Sequence, residues 1–569
     1  MPFYFSLFII NGVQKIITAA EMRQIDRLTA ELFATPSLLL MEEAAGACAQ
    51  SIAALFSGDL QGKRVRLLCG RGNNGGDGAA LARQLWLRGA RPEVVLFASF
   101  EETKGDARTN FEIARRLSSF EAGSHTLPPP LVLIECETVA EWEEIAGTHH
   151  NYDLIVDALF GTGLTRPLEG VYLKVIEHLA LLRRARERAQ TDRPLIVSLD
   201  IPSGINADSA ALIGSAVQAD LTVTFTAPKP ANVLPPAAHY GGRLVVANIG
   251  SPPVLLEAAA SELFLTEERD VREWLRRTRY RPDSYKNSHG HVLLIAGSRG
   301  MTGAGALCGK AAMRAGAGLV TIATARSAEA SVAARSIPEI MTAALDETAG
   351  GAVSFEAVED ALKLASRATV LAIGPGLSSA DESTRRFVRA IIERRTTPVV
   401  LDADGLNALA PWPGDLRGSS EFPIILTPHP GEMLRLLGAD NQEALADRVR
   451  AAREFATAHH LIVVLKGSRS LIASADGRVL INPTGNAGLG TAGAGDTLTG
   501  IIAGFLAQTY ARPEDEPDAL SATCAALYLG GLAGDIAARS RGVRSLVASD
   551  ITEHLGAAIL TLDPSGELP

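Results

Sequence analysis

The chain has few cysteines, and their arrangement excludes two kinds of stabilising site. Its five cysteines, among 569 residues, are scattered and include no pair in CxxC spacing. A disulfide framework uses an even, clustered set of cysteines, and a structural zinc site needs closely spaced Cys or His ligands. The sequence therefore predicts neither, and the cysteine usage is typical of a reducing, cytoplasmic compartment.

Long basic runs and long apolar runs are also missing. The net charge is −10, with no extended stretch of Lys or Arg, so we expect no nucleic-acid partner. No uninterrupted apolar run reaches the ~20 residues of a transmembrane helix, so we expect no membrane partner. Phe3–Ile10 is apolar but short and lacks a basic flank. We interpret it as an irregular N-terminus, or as the product of an upstream start codon, rather than as a signal peptide.

Aromatic residues account for only 5% of the chain, whereas glycine is abundant, with 53 residues. The chain is too long for a single core, because one domain takes roughly 100–200 residues. A composition rich in small and aliphatic residues suits stacked layers of helices and parallel strands. We therefore predict an α/β protein with two domains.

Short apolar segments alternate with helical ones in both halves, which indicates doubly wound sheets. Around Pro252, Pro253 and the charged stretch Glu267–Arg281 the alternation stops, and we predict a linker over residues 255–285. The predicted strands are Arg64–Cys69, Glu93–Phe97, Leu131–Glu135, Leu154–Ala158, Leu195–Leu199, Leu221–Phe225, Arg243–Ala247, His291–Ala296, Leu319–Ala323, Val370–Ile373, Val399–Leu401, Ile424–Leu426, Ile462–Leu465 and Val479–Ile481.

In the first half, three strand ends carry polar groups. The loop Gly70–Gly78 (GRGNNGGDG) follows the first strong strand and precedes a helix predicted from Ala79. Asp157 begins DALFGTG after the strand LIV, and Asp200 begins DIPSG after LIVSL. Carboxyl ends of parallel strands converge on one edge, where open α/β sheets bind phosphates. One carboxylate with neutral oxygens suits a hard cation of low charge, and Asp200 remains as a candidate proton carrier.

These motifs resemble the YjeF N-terminal domain of the NAD(P)H-hydrate epimerase family, over roughly Thr18–Gly250. The resemblance implies a potassium ion at Asn74, Asp157 and Ser203 and an acid/base at Asp200. The substrate contacts that it implies are Asn73, Asn74, Gly75, Gly76, Asp77, Gly161, Thr162, Gly163, Leu164, Thr165, Arg166, Pro167 and Asp200.

In the second half, the most informative segment is Asn482–Gly500, which contains the turn Gly490–Gly495. An apolar helix predicted from Gly493 follows at once. Small residues allow close approach of a ligand, and a helix N-terminus directs N–H groups at it, so the turn predicts an anion cradle. Asp496 adds a carboxylate, which suits a hydroxyl attacking a phosphoryl group. The turn lacks Gly-Lys-Ser/Thr and is not a Walker loop.

Four further strand ends accompany this turn, and the set resembles the ribokinase-like superfamily. GPGL, LDADGLN, TPHPGE and GTAGAGDTLTG together resemble the ADP-dependent NAD(P)H-hydrate dehydratase family, over about Arg272–Thr561. The resemblance implies that Asp496 is catalytic. The substrate contacts that it implies are Ala304, Gly376, His429 and Asp496, and the nucleotide contacts are Lys466, Gly467, Ser468, Arg469, Ser470 and Gly495. Ala492 and Ala494 depart from the Gly and Thr that relatives often carry, which leaves nucleotide affinity open.

Together, the two resemblances imply a bifunctional enzyme that repairs hydrated NADH and NADPH. We expect residues 14–254 to form a Rossmann-like epimerase domain and residues 272–561 a ribokinase-like dehydratase domain. The epimerase domain would use potassium, and the dehydratase domain would use ADP as co-substrate with Mg²⁺, for which the sequence shows no dedicated ligand. We also expect a homo-oligomer.

Three alternatives remain at this point. The second half could be a small-molecule kinase that leaves a stable phosphorylated product. The first half could be a non-catalytic binding module, since vertebrate relatives of this domain are known as apolipoprotein A-I-binding proteins. A Rossmann dehydrogenase is a weaker alternative, because no acidic residue stands clearly ~20 residues after a GxGxxG loop.

Overall fold

A computed structural model describes residues 14–119, 130–147, 151–512 and 516–563. The apolar segment Phe3–Ile10 lies outside these residues. The chain divides into two compact units, Met1–Ser261 and Glu262–Pro569, each of which we describe by itself.

The first unit alternates strands with helices. Its strands are β1 (Gln14–Lys15), β2 (Arg64–Cys69), β3 (Arg91–Leu96), β4 (Val132–Glu135), β5 (Leu154–Ala158), β6 (Leu195–Leu199), β7 (Leu221–Phe225) and β8 (Arg243–Ala247). Its helices are α1 (Ala19–Phe33), α2 (Ser37–Leu55), α3 (Asn73–Leu87), α4 (Gly105–Ser118), α5 (Val139–Gly147), α6 (Gly170–Ala189), α7 (Pro230–Val233) and α8 (Pro253–Glu257).

A parallel sheet with the order β4-β3-β2-β5-β6-β7-β8 forms the centre of this unit. Strands β5 and β7 are buried along their whole length, as their uninterrupted apolar runs predict for strands covered on both faces. The strand order reverses between β2 and β5. Ligands of open α/β sheets bind at such a switch point, so the loops after β2 and β5 are placed for binding.

The second unit follows the same rule with more elements. Its strands are β9 (Leu263–Leu265), β10 (His291–Ile295), β11 (Leu319–Ala325), β12 (Met341–Leu345), β13 (Val370–Ile373), β14 (Val399–Leu401), β15 (Ile424–Leu426), β16 (Ile462–Leu465), β17 (Leu471–Ala473) and β18 (Val479–Ile481). Its helices are α9 (Glu268–Arg277), α10 (Thr302–Arg314), α11 (Arg326–Arg335), α12 (Val358–Ala365), α13 (Glu382–Arg394), α14 (Asp404–Asn407), α15 (Pro430–Leu437), α16 (Arg448–His459), α17 (Ala494–Tyr510), α18 (Ala519–Arg541) and α19 (Ala548–Leu562).

The strands of this unit run in the order β9-β18-β17-β16-β15-β14-β13-β10-β11-β12. The pairs β16–β17 and β17–β18 are antiparallel, and the other pairs are parallel. The order reverses between β10 and β13, which places the loops after these two strands at a second switch point. The predicted α/β class is confirmed in both units.

Three strands of the second unit are absent from the sequence-based prediction: β9, β12 and β17. Strand β12 (MTAAL) is half exposed and weakly apolar, so its pattern resembles a loop. Within residues 255–285, the predicted linker, the structure places β9 and α9. Helix α9 buries Val271, Trp274 and Leu275 on one face, although its charged residues dominate the sequence. The predicted domain limits stay predictions.

Among the described residues, α2 and α18 match a membrane span in length and composition. In α18, 78% of the apolar window is buried within the protein, as in the core helix of a globular unit. The same figure for α2 is 44%. All five cysteines are buried and free.

Two candidate active sites

Helix α3 begins at Asn73, with Gly72 as its N-cap, rather than at Ala79 as the sequence predicts. The glycines of this segment have low helix propensity, but they allow close packing against β2, and this packing outweighs the propensity. A Cβ atom on Gly75 would overlap the carbonyl oxygen of Gly70, and one on Gly78 would lie 2.6 Å from Sγ of Cys69. The first turn of α3 therefore packs directly against the end of β2, with its N–H groups at the switch point.

The carboxylate of Asp157, at the end of β5, is completely buried and hydrogen-bonded. It accepts hydrogen bonds from the hydroxyl of Ser203 at 2.5 Å, from the backbone N–H of Ser203 at 2.8 Å and from the hydroxyl of Ser198 at 2.8 Å. Burial raises the pKa of Asp157, and these hydrogen bonds oppose the rise. The structure thus brings Asp157 and Ser203 together, as the converging strand ends predict.

Asn74 and Asp200 meet at Gly161. A Cβ atom on Gly161 would lie 3.2 Å from Oδ1 of Asn74 and 3.4 Å from Oδ2 of Asp200, so the missing side chain leaves space between them. The amide nitrogen of Asn74 is buried and has no hydrogen-bond partner in the described part of the chain. Such an orphaned polar atom indicates a ligand, since buried polar groups are normally paired.

The other predicted substrate contacts of this unit lie on the two segments that carry Asn74 and Gly161. Gly76 and Asp77 lie in the first turns of α3 with Asn73. Leu164 is buried, and its carbonyl accepts a hydrogen bond from Asn206 at 3.2 Å. Thr165, Arg166 and Pro167 are exposed, in the loop between β5 and α6. Thr162 and Gly163 precede them there.

Asp200 is held by a lysine that the sequence analysis missed. Nζ of Lys229 donates to Oδ1 of Asp200 at 2.7 Å, and the hydroxyl of Thr224 donates to the same oxygen at 2.9 Å. Lys229 is completely buried. Lys229 follows β7 within Ala227-Pro228-Lys229. A lone lysine after a buried strand is the sequence feature from which its role could have been predicted.

Two further carboxyl groups of this unit share the electrostatic environment of Asp200. Burial raises the pKa of Asp26 to about 6; Lys229 lowers it and Asp200 raises it. Burial and the charges of Asp200 and Asp26 raise the pKa of Asp77 well above its ordinary value. Burial and like charge thus both disfavour the ionised form of Asp77. The sequence analysis did not single out Asp26.

In the second unit, the turn before α17 has the predicted geometry. Gly493 adopts a φ of 82°, a left-handed conformation that favours glycine, and serves as the N-cap of α17. Asp496 lies in the first turn. Burial raises its pKa to about 6, as do the charges of Asp402 and Asp404, while Lys466 lowers it. A carboxyl group with this pKa can act as a base near neutral pH.

Lys466 lies beside this helix terminus, paired with Asp402. Its Nζ is 2.7 Å from Oδ1 of Asp402 and 3.4 Å from the position of a Cβ atom on Gly495. The hydroxyl of Thr499 donates to Oδ2 of Asp402 at 2.8 Å. Although burial alone would raise the pKa of Asp402, the Lys466 ammonium and these hydrogen bonds hold it below its usual value. A positive charge is thus fixed next to the predicted anion cradle.

The loop from Lys466 to Ser470, predicted to contact a nucleotide, follows β16. Gly467 and Ser468 are exposed, and Arg469 donates to the carbonyl of Pro483 at 2.9 Å. The hydroxyl of Ser470 donates to the carbonyl of Gly467 at 3.1 Å, which closes a tight turn.

Ala304 and Gly376 contact each other across the second switch point. Gly376 follows β13 with a φ of 61°, and a Cβ atom on it would lie 2.9 Å from Cβ of Ala304 in the first turn of α10. The two loops that flank the reversal in strand order therefore touch, with small residues on both sides.

His429, which the resemblance implies as a substrate contact, has a structural role in the second unit. It is the N-cap of α15, and its Nδ1 accepts from the N–H of Gly431 at 3.0 Å and of Glu432 at 3.3 Å. Because Nδ1 is an acceptor, a neutral imidazole carries its proton on Nε2. The side chain is 52% exposed, and its Nε2 lies 3.5 Å from Oε1 of Glu432.

Comparisons with known proteins give a family match for each unit. The family of YjeF-related protein N-termini matches residues 37–231, and the NAD(P)H-hydrate dehydratase family matches residues 292–556. The bifunctional NAD(P)H-hydrate repair enzyme of Moorella thermoacetica is 40% identical over 97% of this chain and 98% of its own length. The chain belongs to the family of bifunctional NAD(P)H-hydrate repair enzymes. Its Escherichia coli member is 33% identical, over 86% of this chain and 84% of its own.

Among solved structures, an ADP/ATP-dependent NAD(P)H-hydrate dehydratase from Bacillus subtilis, co-crystallised with ATP and Mg²⁺, is 31% identical. It covers 52% of this chain and 98% of its own, with a TM-score of 0.45. A ribokinase-like superfamily protein from Enterococcus faecalis is 27% identical over 53% and 98% of the two chains, with a TM-score of 0.44.

The sequence predicts the candidate residues of this repair enzyme better than it predicts the charged side chains that pair with them. Asp402 and Glu432 stand inside the motifs LDADGLN and TPHPGE, yet neither was given a role. Nζ of Lys466 lies between them, 3.8 Å from Oε2 of Glu432. Position within a motif was the available signal for both.

Proposed function

We propose that the first unit interconverts the R and S epimers of NAD(P)HX and that the second unit dehydrates the S epimer at the expense of ADP. Membership of the bifunctional repair family supports both activities. The observation that carries the assignment of the sites is their placement, because in each unit most candidate residues follow the carboxyl ends of parallel strands on the two sides of a switch point.

In the first unit, Asp200 is the proposed acid/base. Its Oδ2 faces the space at Gly161, next to the side chain of Asn74. We infer that Asp200 transfers a proton as the C6 hydroxyl leaves the nicotinamide ring and returns on either face. The N–H groups at the start of α3 suit the substrate's phosphates.

Asn74, Asp157 and Ser203 are the proposed holders of a potassium ion. The donor set fits, since it combines one buried carboxylate with hydroxyl and amide oxygens, which are ligands of hard cations of low charge. The amide nitrogen of Asn74 has no hydrogen-bond partner in the described residues. Since the oxygen and nitrogen of an Asn amide can be exchanged by a flip of the side chain, the amide oxygen can take this position and bind a cation. Bound there, the ion would order the loop and offset phosphate charge.

In the second unit, Asp496 is the proposed base. It would take the proton of the C6 hydroxyl of the S epimer as that oxygen attacks the terminal phosphorus of ADP, releasing AMP. The N–H groups at the start of α17, with Lys466 beside Gly495, would stabilise the charge on the transferring phosphoryl group. Phosphate then leaves C6 far more readily than hydroxide, and loss of a ring proton restores NAD(P)H.

We infer that Mg²⁺ accompanies the nucleotide. In the described part of the chain, no group of three or more His, Cys, Asp and Glu side chains is placed to hold a metal. We therefore infer that the nucleotide phosphates supply most of the Mg²⁺ ligands, which is how Mg²⁺ is commonly bound. It would neutralise phosphate charge there.

A cytoplasmic location, a homo-oligomeric state and the preference for ADP over ATP are further proposals.

Recovery of NADH from a mixed R and S preparation of NADHX, followed by its near-ultraviolet absorbance with and without ADP, tests the proposal. Recovery of all the NADH with ADP supports both activities. Rapid recovery that stops at the S fraction would contradict the epimerase assignment. A stable phosphorylated product without NADH would instead support a small-molecule kinase.

A further inference from the structure

Lys229 is the most unusual charged residue of the first unit, because its side chain is 0% exposed. An ammonium group is costly to bury unless it is paired and hydrogen-bonded. Here each of its three donors has a partner: Oδ1 of Asp200 at 2.7 Å, the hydroxyl of Thr224 at 3.0 Å and the carbonyl of Phe225 at 3.0 Å.

The same short segment also holds the backbone of Asp200. Asp200 has a φ of 62°, which non-glycine residues rarely adopt and which persists only where the surroundings hold it. The amide of Asn232 donates to the carbonyl of Asp200 at 3.2 Å and accepts from the backbone N–H of Lys229 at 2.8 Å. Residues 229–232 therefore hold Asp200 at both its side chain and its carbonyl.

The two carboxylate oxygens of Asp200 are consequently unequal. In the described part of the chain, the hydrogen bonds to this carboxylate come from Lys229 and Thr224 and both end on Oδ1. Oδ2 lies on the other side, 3.4 Å from the position of a Cβ atom on Gly161. We propose that Lys229 is a positioning residue of the epimerase, whose ammonium fixes the Asp200 carboxylate with Oδ1 occupied and Oδ2 presented to the substrate.

This inference rests on the proposed role of Asp200. Lys229 acts through that residue rather than on the substrate, because its donors are already used and its side chain is buried. The other titratable groups that bear on the pair are Asp26 on α1 and Asp77 on α3.

The test uses full-length K229M, in which a chain of similar length lacks the charge. Epimerisation is measured without ADP, by chromatographic separation of the epimers formed from purified R-NADHX. We expect kcat to fall by about 100-fold or more, the usual contribution of a positioned proton carrier, while KM stays within about threefold. Dehydration of purified S-NADHX with ADP should be unchanged in the same preparation.

Comparison with D200N separates a positioning role from a structural one. If Lys229 acts through Asp200, the double variant D200N/K229M has the same kcat as D200N within about twofold, whereas independent effects multiply. Wild-type kcat in K229M, or a further large loss in the double variant, would overturn the inference. Wild-type activity in D200N would instead contradict the proposed role of Asp200.

K229M leaves a carboxylate buried without its cation, which can destabilise the unit. Thr224→Val is therefore the second variant, because it removes the hydroxyl that contacts both groups and keeps both charges. We expect kcat of epimerisation to fall by about tenfold with KM unchanged, since Oδ1 loses one of its two anchors. An unchanged kcat in a folded Thr224→Val variant would count against the inference.

Discussion

In the second unit, Nζ of Lys466 lies 2.7 Å from Oδ1 of Asp402. Lys229 and Asp200 form the corresponding pair in the first unit, also at 2.7 Å. The partner that faces the candidate site differs. In the first unit the carboxylate is the more exposed partner, at 12% against 0% for Lys229, whereas in the second the ammonium is, at 20% against 2% for Asp402. The same buried pairing can therefore position a base in one unit and a phosphate-binding cation in the other.

Asp402→Asn should weaken ADP binding and destabilise the second unit. Asp402 is buried and holds Lys466, so its loss leaves a largely buried ammonium without its hydrogen-bonded carboxylate, at a cost of about 3 kcal/mol. We expect a higher KM for ADP and a lower free energy of unfolding. Thr499→Val is the matched control, because it removes only a hydroxyl contact, worth about 1 kcal/mol. Equal ADP KM values in the two variants would contradict the role given to Lys466.

The dehydratase should lose activity in mild acid. Asp496 acts as a base only when ionised, and its pKa is raised to about 6. As pH falls below that value the carboxyl group is protonated, so kcat at saturating ADP and S-NADHX should fall about tenfold per pH unit, with a plateau above about pH 7.

The terminal phosphate of ADP titrates in the same range, so a control is needed for this profile. Asp404→Asn removes one of the negative charges that raise the pKa of Asp496, and the midpoint should therefore move to lower pH. A midpoint that does not move in this variant would indicate that the nucleotide, and not Asp496, controls the profile.

Potassium should affect the epimerase and not the dehydratase. Asp157 supplies the charge of the proposed cation site, so exchanging K⁺ for tetramethylammonium should lower the rate of R-to-S conversion in the wild type. Asp157→Asn should be slow in either salt. Dehydration of purified S-NADHX serves as the internal reference. An equal rate of R-to-S conversion by the wild type in the two salts would argue against the proposed potassium site.

Strand-end motifs allowed the sequence to predict which loops meet, but not how their side chains pair. The adjacency of Asp157 and Ser203 follows from parallel strands, because consecutive buried runs place their carboxyl ends on one edge. The pairing of Asp200 with Lys229 has no such pattern. It depends on a left-handed residue and on the path of the chain after β7, which only the three-dimensional structure supplies.

The predicted helix and strand boundaries were wrong where tertiary contacts outweigh the intrinsic conformational preference of the residues. Asn73–Gly78 has poor helix propensity, yet it forms the start of α3, because its glycines permit contact with β2 and β5. Strand β9 pairs with β18, but it lies between Pro252-Pro253 and the charged stretch Glu267–Arg281, where the sequence predicts a linker.

Gly78→Ala should destabilise the first unit. The added Cβ atom would lie 2.6 Å from Sγ of Cys69 and 2.8 Å from Cβ of Ala158, so α3 would have to move away from both strands that flank the switch point. Overpacking of this kind costs about 1–3 kcal/mol. The N-terminus of α3 carries Asn74, so epimerase activity should fall together with the unfolding midpoint of this unit.

Gly163→Ala is the matched control for that substitution, because a Cβ atom there meets no other atom within 4 Å. Its free energy of unfolding, measured in urea, should stay within about 0.5 kcal/mol of the wild type. Dehydration of S-NADHX should be retained in both variants. If Gly78→Ala were as stable as Gly163→Ala, the close contact of α3 with β2 and β5 would not be what fixes the start of this helix.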